Sequence, residues 1–341
     1  MAYTAIDDPE AYFQVALYTG NGGTQSITLP GDTDMQPDMV WSKARDAAEN
    51  HSLSDTIQGD ATSRDGLAVL HPNVNEASDN SAGNVYHSSF DSDGFSVGNN
   101  NQVNINTKLH VAWCWKESAT AGFDLVGYTG TGSAKTEAHS LSAVPKLIIV
   151  KNLDAADAWQ VYHAGNTAAP ETDYLVLNTT ATTADAADRW NDTAPTSSVF
   201  SLGDGDEVNT NTEDYVAYCF AEKQGFSKFG SYTGNADVDG PFLYTGFRPA
   251  FFMYKNTNDA SNWFIFDNKR NPHNEVTTKL GANLNSAEDS GTTGNDVDFC
   301  ANGVKIREDN GDLNGSGNII VYMAFAEAPF VNSNGVPCNA R

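Results

Sequence analysis

Three sets of side chains that can form ion pairs or hydrogen bonds recur along this chain of 341 residues. Each set has three members, and the glutamates lie 105 residues apart. The sets are the tyrosines Tyr18, Tyr128 and Tyr232, the lysines Lys43, Lys151 and Lys255, and the glutamates Glu117, Glu222 and Glu327. Recurrence at equivalent positions is the evidence for importance that a single sequence offers.

The lysines and glutamates can pair across neighbouring strands. Each lysine closes an apolar run that begins with a proline six residues earlier, and each glutamate ends a run rich in aromatic residues. We predict either structural ion pairs between the two sets or lysines at solvated strand ends, with a contact to an acidic neighbouring molecule as the alternative role of the lysines. An exposed pair contributes about 0–1 kcal/mol, so it would fix strand register more than stability.

The tyrosines stand just before Thr-Gly turns, where a strand enters a tight loop. A tyrosine at a strand edge commonly buries its ring and leaves the hydroxyl in contact with water or a polar partner. This predicts a packing role. The alternative is that the rings stack on a sugar at the base of each loop.

Acidic turns raise the question of a cation. Hard cations need several oxygen ligands, and closely spaced aspartates with glycine allow a loop to wrap one. The candidates are Asp91, Asp93, Asp204, Asp206, Asp237 and Asp239. The stretches lack the alternating EF-hand pattern with its terminal glutamate. We therefore expect solvated turns and no cofactor, with Ca²⁺ as the alternative.

The sequence contains no recognisable constellation for nucleophilic catalysis. None of the seven histidines stands beside a glycine-flanked serine or in a recognisable arrangement with a cysteine. The four cysteines follow no metal spacing, which predicts reduced and mostly buried thiols. We therefore predict that the protein is not an enzyme. Paired carboxylates for glycoside cleavage leave no trace in a sequence, so that activity stays open.

The formal charge of -25, from 44 acidic and 19 basic residues, argues against nucleic acid and anionic membranes as partners. No run of 18 apolar residues occurs, so no membrane insertion is expected. The first residues lack the basic and apolar regions of a Sec signal peptide.

The elements that must position these side chains are strands repeated three times. Residues 216–222 (VAYCFAE) return as residues 111–117 and 321–327. The tryptophans Trp159 and Trp263 follow two of the lysines by eight residues, and His51 stands at the corresponding place in the first copy. The near-continuous apolar run from each proline to its lysine predicts a strand buried on both faces.

Glycine-rich turns every 8–12 residues, with few strong helix formers, are typical of an all-β chain. The sequence predicts three tandem antiparallel β-sandwich or jelly-roll repeats of about 105 residues. The predicted domains are residues 1–118, 119–224 and 225–341. The linkers between them are short, so we expect the repeats to pack together.

Several motifs resemble a repeat family of tailed bacteriophages of marine and cyanobacterial hosts, whose members are structural or tail-fibre-like proteins. The motifs are residues 90–95 (FDSDGF), 226–234 (FSKFGSYTG), 246–249 (GFRP) and 328–331 (APFV). The resemblance extends over about residues 6–341 and implies lectin-like β-sandwich repeats. The resemblance does not assign catalytic or ligand-binding residues to this sequence.

The resemblance implies a virion protein, made in the host cytoplasm and placed on the exterior of the particle. The expected role is a tail fibre or spike subunit that contacts the host surface, with other virion proteins and a host glycan or receptor as partners. Capsid decoration on the head and a depolymerase of host polysaccharide are the alternatives. The sequence leaves open a true oligomer or a monomer whose three repeats imitate a trimer.

Overall fold

The computed structural model describes residues 3–59, 66–80, 83, 85–290, 294 and 296–338. Within them the regular elements are β-strands, four one-turn α-helices and a short 3-10 turn, Pro9–Ala11. The strand pairs in these ranges are antiparallel. The predicted all-β class is therefore confirmed.

The elements fall into three successive groups that follow the sequence repeats. Repeat 1 contains β1 (Phe13–Thr19), β2 (Gln25–Thr28), β3 (Met39–Ala44), β4 (Ser52–Asp55), β5 (His87–Asp91), β6 (Gly94–Val97), α1 (Asn101–Asn104) and β7 (Leu109–Trp115). Repeat 2 contains β8 (Phe123–Thr129), β9 (Lys135–Ala138), β10 (Leu147–Asn152), β11 (Gln160–His163), β12 (Asp173–Val176), β13 (Ala184–Asp185), α2 (Ala187–Trp190), β14 (Val199–Leu202), α3 (Asp206–Asn209) and β15 (Asp214–Phe220). Repeat 3 contains β16 (Ser227–Thr233), β17 (Phe242–Tyr244), β18 (Phe247–Asn256), β19 (Phe264–Asp267), β20 (Thr278–Gly281), β21 (Asp289–Ser290), β22 (Val297–Cys300), β23 (Gly303–Ile306), α4 (Gly311–Asn314) and β24 (Ile319–Pro329).

Each repeat has a long inner sheet and a short outer sheet. The inner sheets have the orders β1-β7-β3-β4, β8-β15-β10-β11-β12-β13 and β16-β24-β18-β19-β20-β21. The outer sheets are β2-β6-β5, β9-β14 and β17-β23-β22. In every inner sheet the thrice-repeated strand, β7, β15 or β24, lies between the first strand of the repeat and the proline-to-lysine strand.

The central strands of the inner sheets are buried on both faces. Every residue of β3 and β10 is buried, as is every residue of β18 except Arg248. In repeats 1 and 2, one face packs on the outer sheet in a core of its own. The other face joins a single hydrophobic core that contains residues from all three repeats.

The middle of this shared core contains the aromatic residues that precede the repeated glutamates. The ring of Phe325 lies 5.7 Å from that of Trp115 and 5.9 Å from that of Phe220, between ring centroids. These three residues occupy equivalent positions in β7, β15 and the last long strand, β24. The three inner sheets therefore pack around a pseudo-threefold arrangement.

Equivalent backbone hydrogen bonds join each repeat to the next, and the last repeat to the first. In each bond the N–H of one repeat donates to a carbonyl in the loop that follows a lysine strand. The bonds are Ser78 N–H to Leu153 O at 2.8 Å, Thr183 N–H to Thr257 O at 3.0 Å and Glu288 N–H to Arg45 O at 2.7 Å. The repeats thus form a closed ring with three matching junctions.

Side-chain N–H groups of two tryptophans and one histidine form a second set of equivalent hydrogen bonds between repeats, with donor and acceptor repeats exchanged. Each donates to a carbonyl of the preceding repeat, and the acceptors lie 105 residues apart. The bonds are Trp159 Nε1–H to His71 O at 3.2 Å, Trp263 Nε1–H to Val176 O at 3.0 Å and His51 Nε2–H to Gly281 O at 3.0 Å.

The donor role of His51 follows from its other nitrogen. Trp41 Nε1–H donates to His51 Nδ1 at 2.9 Å, so Nδ1 is the acceptor and Nε2 has the proton. Burial lowers the pKa of His51 to about 3 and keeps the ring neutral. The histidine therefore makes the junction contact that tryptophan makes in the other repeats, although its ring is smaller.

Replacement of His51 by phenylalanine should change the acid sensitivity of the fold. The unfolded chain binds a proton on this histidine below about pH 6.5, whereas the folded protein does so only near pH 3, so His51 makes stability fall as pH drops through that interval. The difference in free energy of unfolding between wild type and His51→Phe should shrink from pH 6.5 to pH 4, as measured by urea denaturation. His273→Phe, which removes an exposed histidine, is the control. A difference that stays constant with pH would contradict this role.

Candidate functional site

The three repeated tyrosines are packing residues. Their side chains are buried, with 9%, 8% and 9% exposure for Tyr18, Tyr128 and Tyr232. Each hydroxyl donates to the third residue of the one-turn helix in its repeat, at 2.7 Å to Val103 O, 2.8 Å to Val208 O and 2.6 Å to Leu313 O. The rings cannot reach a sugar, so the packing interpretation is confirmed and the stacking alternative is wrong.

A buried asparagine completes this turn and was missed at the sequence level. In repeat 2 the Asn209 Oδ1 accepts from Thr131 N–H at 2.8 Å, and Nδ2 donates to Ser133 O at 2.7 Å and Gly203 O at 2.6 Å. The equivalents Asn104 and Asn314 also accept from a turn N–H at 2.8 Å. Their spacing of 105 residues was the signal that could have found them.

The turn also requires its glycine. A Cβ added at Gly130 would lie 2.0 Å from Thr210 O, and the equivalents Gly20 and Gly234 would bring a Cβ within 2.1 Å of a carbonyl oxygen. These neighbours are backbone atoms that cannot move aside as a flexible side chain can. The Tyr-Thr-Gly motif is therefore explained by close approach of two backbone segments.

The repeated lysines neither pair with the repeated glutamates nor lie at solvated strand ends, so both predicted structural roles are wrong. Each ammonium group donates to the carbonyl one residue later, at 2.6 Å for Lys43, 2.7 Å for Lys151 and 2.7 Å for Lys255. Each also reaches the carbonyl four residues later, at 3.1, 3.1 and 3.4 Å. The physical reason is strand direction, because the lysine and the glutamate lie at opposite ends of the same inner sheet.

Burial of these lysines has an electrostatic consequence. Their side chains lie in the interior, and burial lowers the pKa of all three to about 8. Carboxylates nearby, Asp157 and Glu213 in the case of Lys151, oppose the shift. An amine with no exposed surface is not available to an external molecule. The hydrogen bonds of these lysines instead stabilise the loops that follow their strands.

The repeated glutamates lie in three different environments at the other end of the sheets. Burial and a hydrogen bond with Asp124 raise the pKa of Glu117 to about 7. Glu222 pairs with Lys228 at 2.8 Å, and Glu327 pairs with Arg248 at 3.1 Å. The three carboxylates therefore have different partners although they occupy equivalent positions in the repeats.

The acidic turns do not converge on a common point. Asp91 accepts from Ser89 Oγ and Ser96 Oγ, both at 2.7 Å, and Asp237 accepts from the N–H of Asp239 at 2.9 Å. Asp239 also pairs with Lys305 at 2.5 Å. Asp93 is half-buried, while Asp204 and Asp206 are exposed. Among the described residues no group of three His, Cys, Asp or Glu side chains has the arrangement of a metal site.

The four cysteines are free thiols. Cys114 and Cys219 are buried in the cores between the inner and outer sheets, and burial raises their pKa. Cys300 and Cys338 are half-buried. Small core thiols of this kind are packing groups, as the sequence indicated.

A groove beside Glu222 is accessible to solvent, and the sequence did not indicate it. Its volume is about 160 Å³, and it lies between the end of β15 and repeat 3. Two exposed tyrosines line it, Tyr3 with a fractional exposure of 58% and Tyr244 with one of 60%. Its lining residues are Tyr3, Glu222, Gln224, Ser227, Lys228, Tyr244, Thr245, Gly246, Phe330 and Val331.

The polar part of this groove is anchored to the backbone. Ser227 Oγ accepts from Lys223 N–H at 3.0 Å, and Thr245 Oγ donates to Phe247 O at 2.7 Å. The Glu222 carboxylate and the Lys228 ammonium hold each other at 2.8 Å and remain one-third exposed. The groove therefore combines exposed aromatic rings with an adjacent hydrogen-bond acceptor and donor.

Replacement of Asn209 by alanine should lower the free energy of unfolding by about 2–4 kcal/mol, because three hydrogen bonds disappear and their backbone partners stay in the interior. Guanidinium denaturation measures the loss. Asn211→Ala, which changes an exposed asparagine in the same turn, should be within about 0.5 kcal/mol of wild type. Equal stability of the two variants would show that Asn209 does not lock the turn.

Replacement of Lys151 by methionine should flatten the alkaline side of the stability profile. The folded protein releases this proton near pH 8 and the unfolded chain near 10.5, so stability due to Lys151 rises with pH through that window. Between pH 8 and pH 10 the wild type should gain up to about 1.4 kcal/mol per pH unit relative to the variant. Lys146→Met, which removes an exposed lysine beside the same strand, is the control. Parallel profiles for wild type and Lys151→Met would refute the assignment.

Comparison with known proteins defines the family but not the activity. Within the described residues no helix has the length and apolar character needed to cross a membrane. No curated protein and no solved structure matches the chain. A family model described as a domain of unknown function, DUF7483, matches residues 8–329, so the chain belongs to that family.

Proposed function

We propose that the protein is a non-enzymatic structural subunit on the exterior of a bacteriophage particle, in a tail fibre or spike that contacts the host surface. The observation that carries the proposal is the closed ring of three repeats with matching junctions. A chain with its own pseudo-threefold arrangement can occupy a threefold position of an assembly or replace a trimer within it. The motifs that resemble tail-fibre-like phage proteins support the same role.

The charge of the chain supports an exterior position. With a formal charge of -25, the surface repels the phosphates of a packaged genome, and it keeps assembled particles apart in solution. The partners are then other virion proteins on one side and a host receptor or glycan on the other.

One carboxyl pair favours the rival function, a depolymerase of host polysaccharide. A glutamate whose pKa is raised to about 7 beside a second carboxyl group has the protonation of a general acid. However, Glu117 and Asp124 are hydrogen-bonded to each other, whereas glycosidase carboxyl groups stand about 5–9.5 Å apart. Asp124 is also 3% exposed and held by Ser140 at 2.6 Å, which supports a structural role.

Gold-labelled antibody against the protein, applied to purified particles and viewed by electron microscopy, tests the location. We expect label on the tail fibres or the tail tip. Label on the head would assign the protein to capsid decoration instead, and the absence of label from intact and disrupted particles would refute a virion role. Particles without the protein, obtained by deletion of its gene, are the control.

Release of reducing sugar from host polysaccharide tests the enzymatic rival. We expect no release above that of a heat-denatured sample. Turnover that is abolished by Glu117→Gln but retained by Glu327→Gln would establish the depolymerase and overturn the non-enzymatic proposal.

A further inference from the structure

The outer sheets provide an internal comparison, because the same strand occurs three times in the same pairing. β2, β9 and β17 each pair with the strand that precedes the one-turn helix, with Ile27, Glu137 and Leu243 at equivalent positions opposite Phe95, Phe200 and Val304. The residues on either side of that position point outward. They are Ser26 and Thr28 in repeat 1, Thr136 and Ala138 in repeat 2, and Phe242 and Tyr244 in repeat 3.

Repeat 3 therefore places aromatic rings where the other repeats have small residues. Phe242 is 46% exposed and Tyr244 is 60% exposed. The fold does not need rings at these positions, because repeats 1 and 2 form the same strand pair without them. Exposed rings on a protein surface are typical of contact sites, in which the apolar face is covered by a ligand.

Tyr244 borders the groove that contains the Glu222–Lys228 pair, and Tyr3 borders it as well. The groove volume of about 160 Å³ is below the ~300–1,000 Å³ of sites for drug-sized molecules. It therefore suits one ring of a longer chain, with the neighbouring units in solvent.

We propose that this groove binds a pyranose unit of an uncharged polysaccharide. This rests on the proposed host contact and names its ligand class. The C–H face of a pyranose carries a small positive charge and packs on the negative face of the Tyr244 ring. The Glu222 carboxylate accepts from one sugar hydroxyl, and the Lys228 ammonium donates to its neighbour.

The charge of the protein selects an uncharged chain over an acidic one. Acidic polysaccharides meet a molecule with a formal charge of -25, and the lysine of the groove is already neutralised by its partner at 2.8 Å. An apolar peptide side chain is also a poor occupant, because it would remove water from the Glu222–Lys228 pair without replacing its hydrogen bonds. Sugar hydroxyls replace that water.

Native affinity electrophoresis tests the proposal with three probes cast into the gel: dextran, galactomannan and the acidic polymer alginate. The wild-type chain should be retarded by at least one of the two uncharged polymers and not by alginate. Tyr244→Ala should weaken that retardation at least tenfold in apparent dissociation constant, and Tyr244→Phe should keep most of it. Thr28→Ala, at the equivalent exposed position of repeat 1, should behave as wild type.

Thermal unfolding of the same variants verifies that Tyr244→Ala remains folded, as expected for an exposed side chain. The proposal is overturned if neither uncharged polymer retards the protein, if Tyr244→Ala binds as well as wild type, or if alginate alone binds. These outcomes are distinguishable from failure of the virion role. Label on the particle with no retardation rejects only the glycan site, whereas retardation without label on the particle rejects only the virion role.

Discussion

The shared aromatic core is the constraint on which the rest of the fold depends. Trp115, Phe220 and Phe325 occupy equivalent positions in three strands and meet in one cluster, so the inner face of each inner sheet is covered by the other two. A single repeat in isolation would expose that face, and burial of aromatic residues is a large part of core energetics. The repeats therefore depend on one another, and the match of one family model to residues 8–329 fits a unit of this size.

The sequence allowed the repeat, the all-β class and the doubly buried strands to be predicted, because these features leave local patterns. The proline-to-lysine run is an example, because its continuous apolar character is visible in the sequence whichever elements pack against the strand. The junctions leave no such pattern. His51 and Trp263 donate to carbonyl oxygens more than 80 residues away, and a carbonyl acceptor is the same in every residue type. The Lys–Glu pairing failed for a related reason, because spacing along the chain does not say which end of a sheet a residue reaches.

Agreement and divergence among the three repeats carry different information. Where all three copies agree, as in the tyrosines, lysines and buried asparagines, each side chain satisfies backbone groups of its own repeat. These residues define the architecture. Tyr244 departs from Thr28 and Ala138 without any change in strand pairing, so the fold cannot be its explanation. The groove was missed in the sequence because its residues come from four separate stretches, residue 3 and residues 222–228, 244–246 and 330–331, that only the folded chain brings together.

The three junctions match in their hydrogen bonds but not in their connectivity. Short linkers tie repeat 1 to repeat 2 and repeat 2 to repeat 3, whereas repeat 3 meets repeat 1 without a peptide link. At that junction Arg45 forms a two-pronged ion pair with Glu288, with both N–O distances at 2.9 Å, and Arg270 lies 3.6 Å from the same carboxylate. Charge-assisted pairs of this geometry are stronger than neutral hydrogen bonds. The Arg45–Glu288 pair lies at the junction where ring closure has no help from a covalent connection, so side chains of repeats 1 and 3 strengthen the contact there.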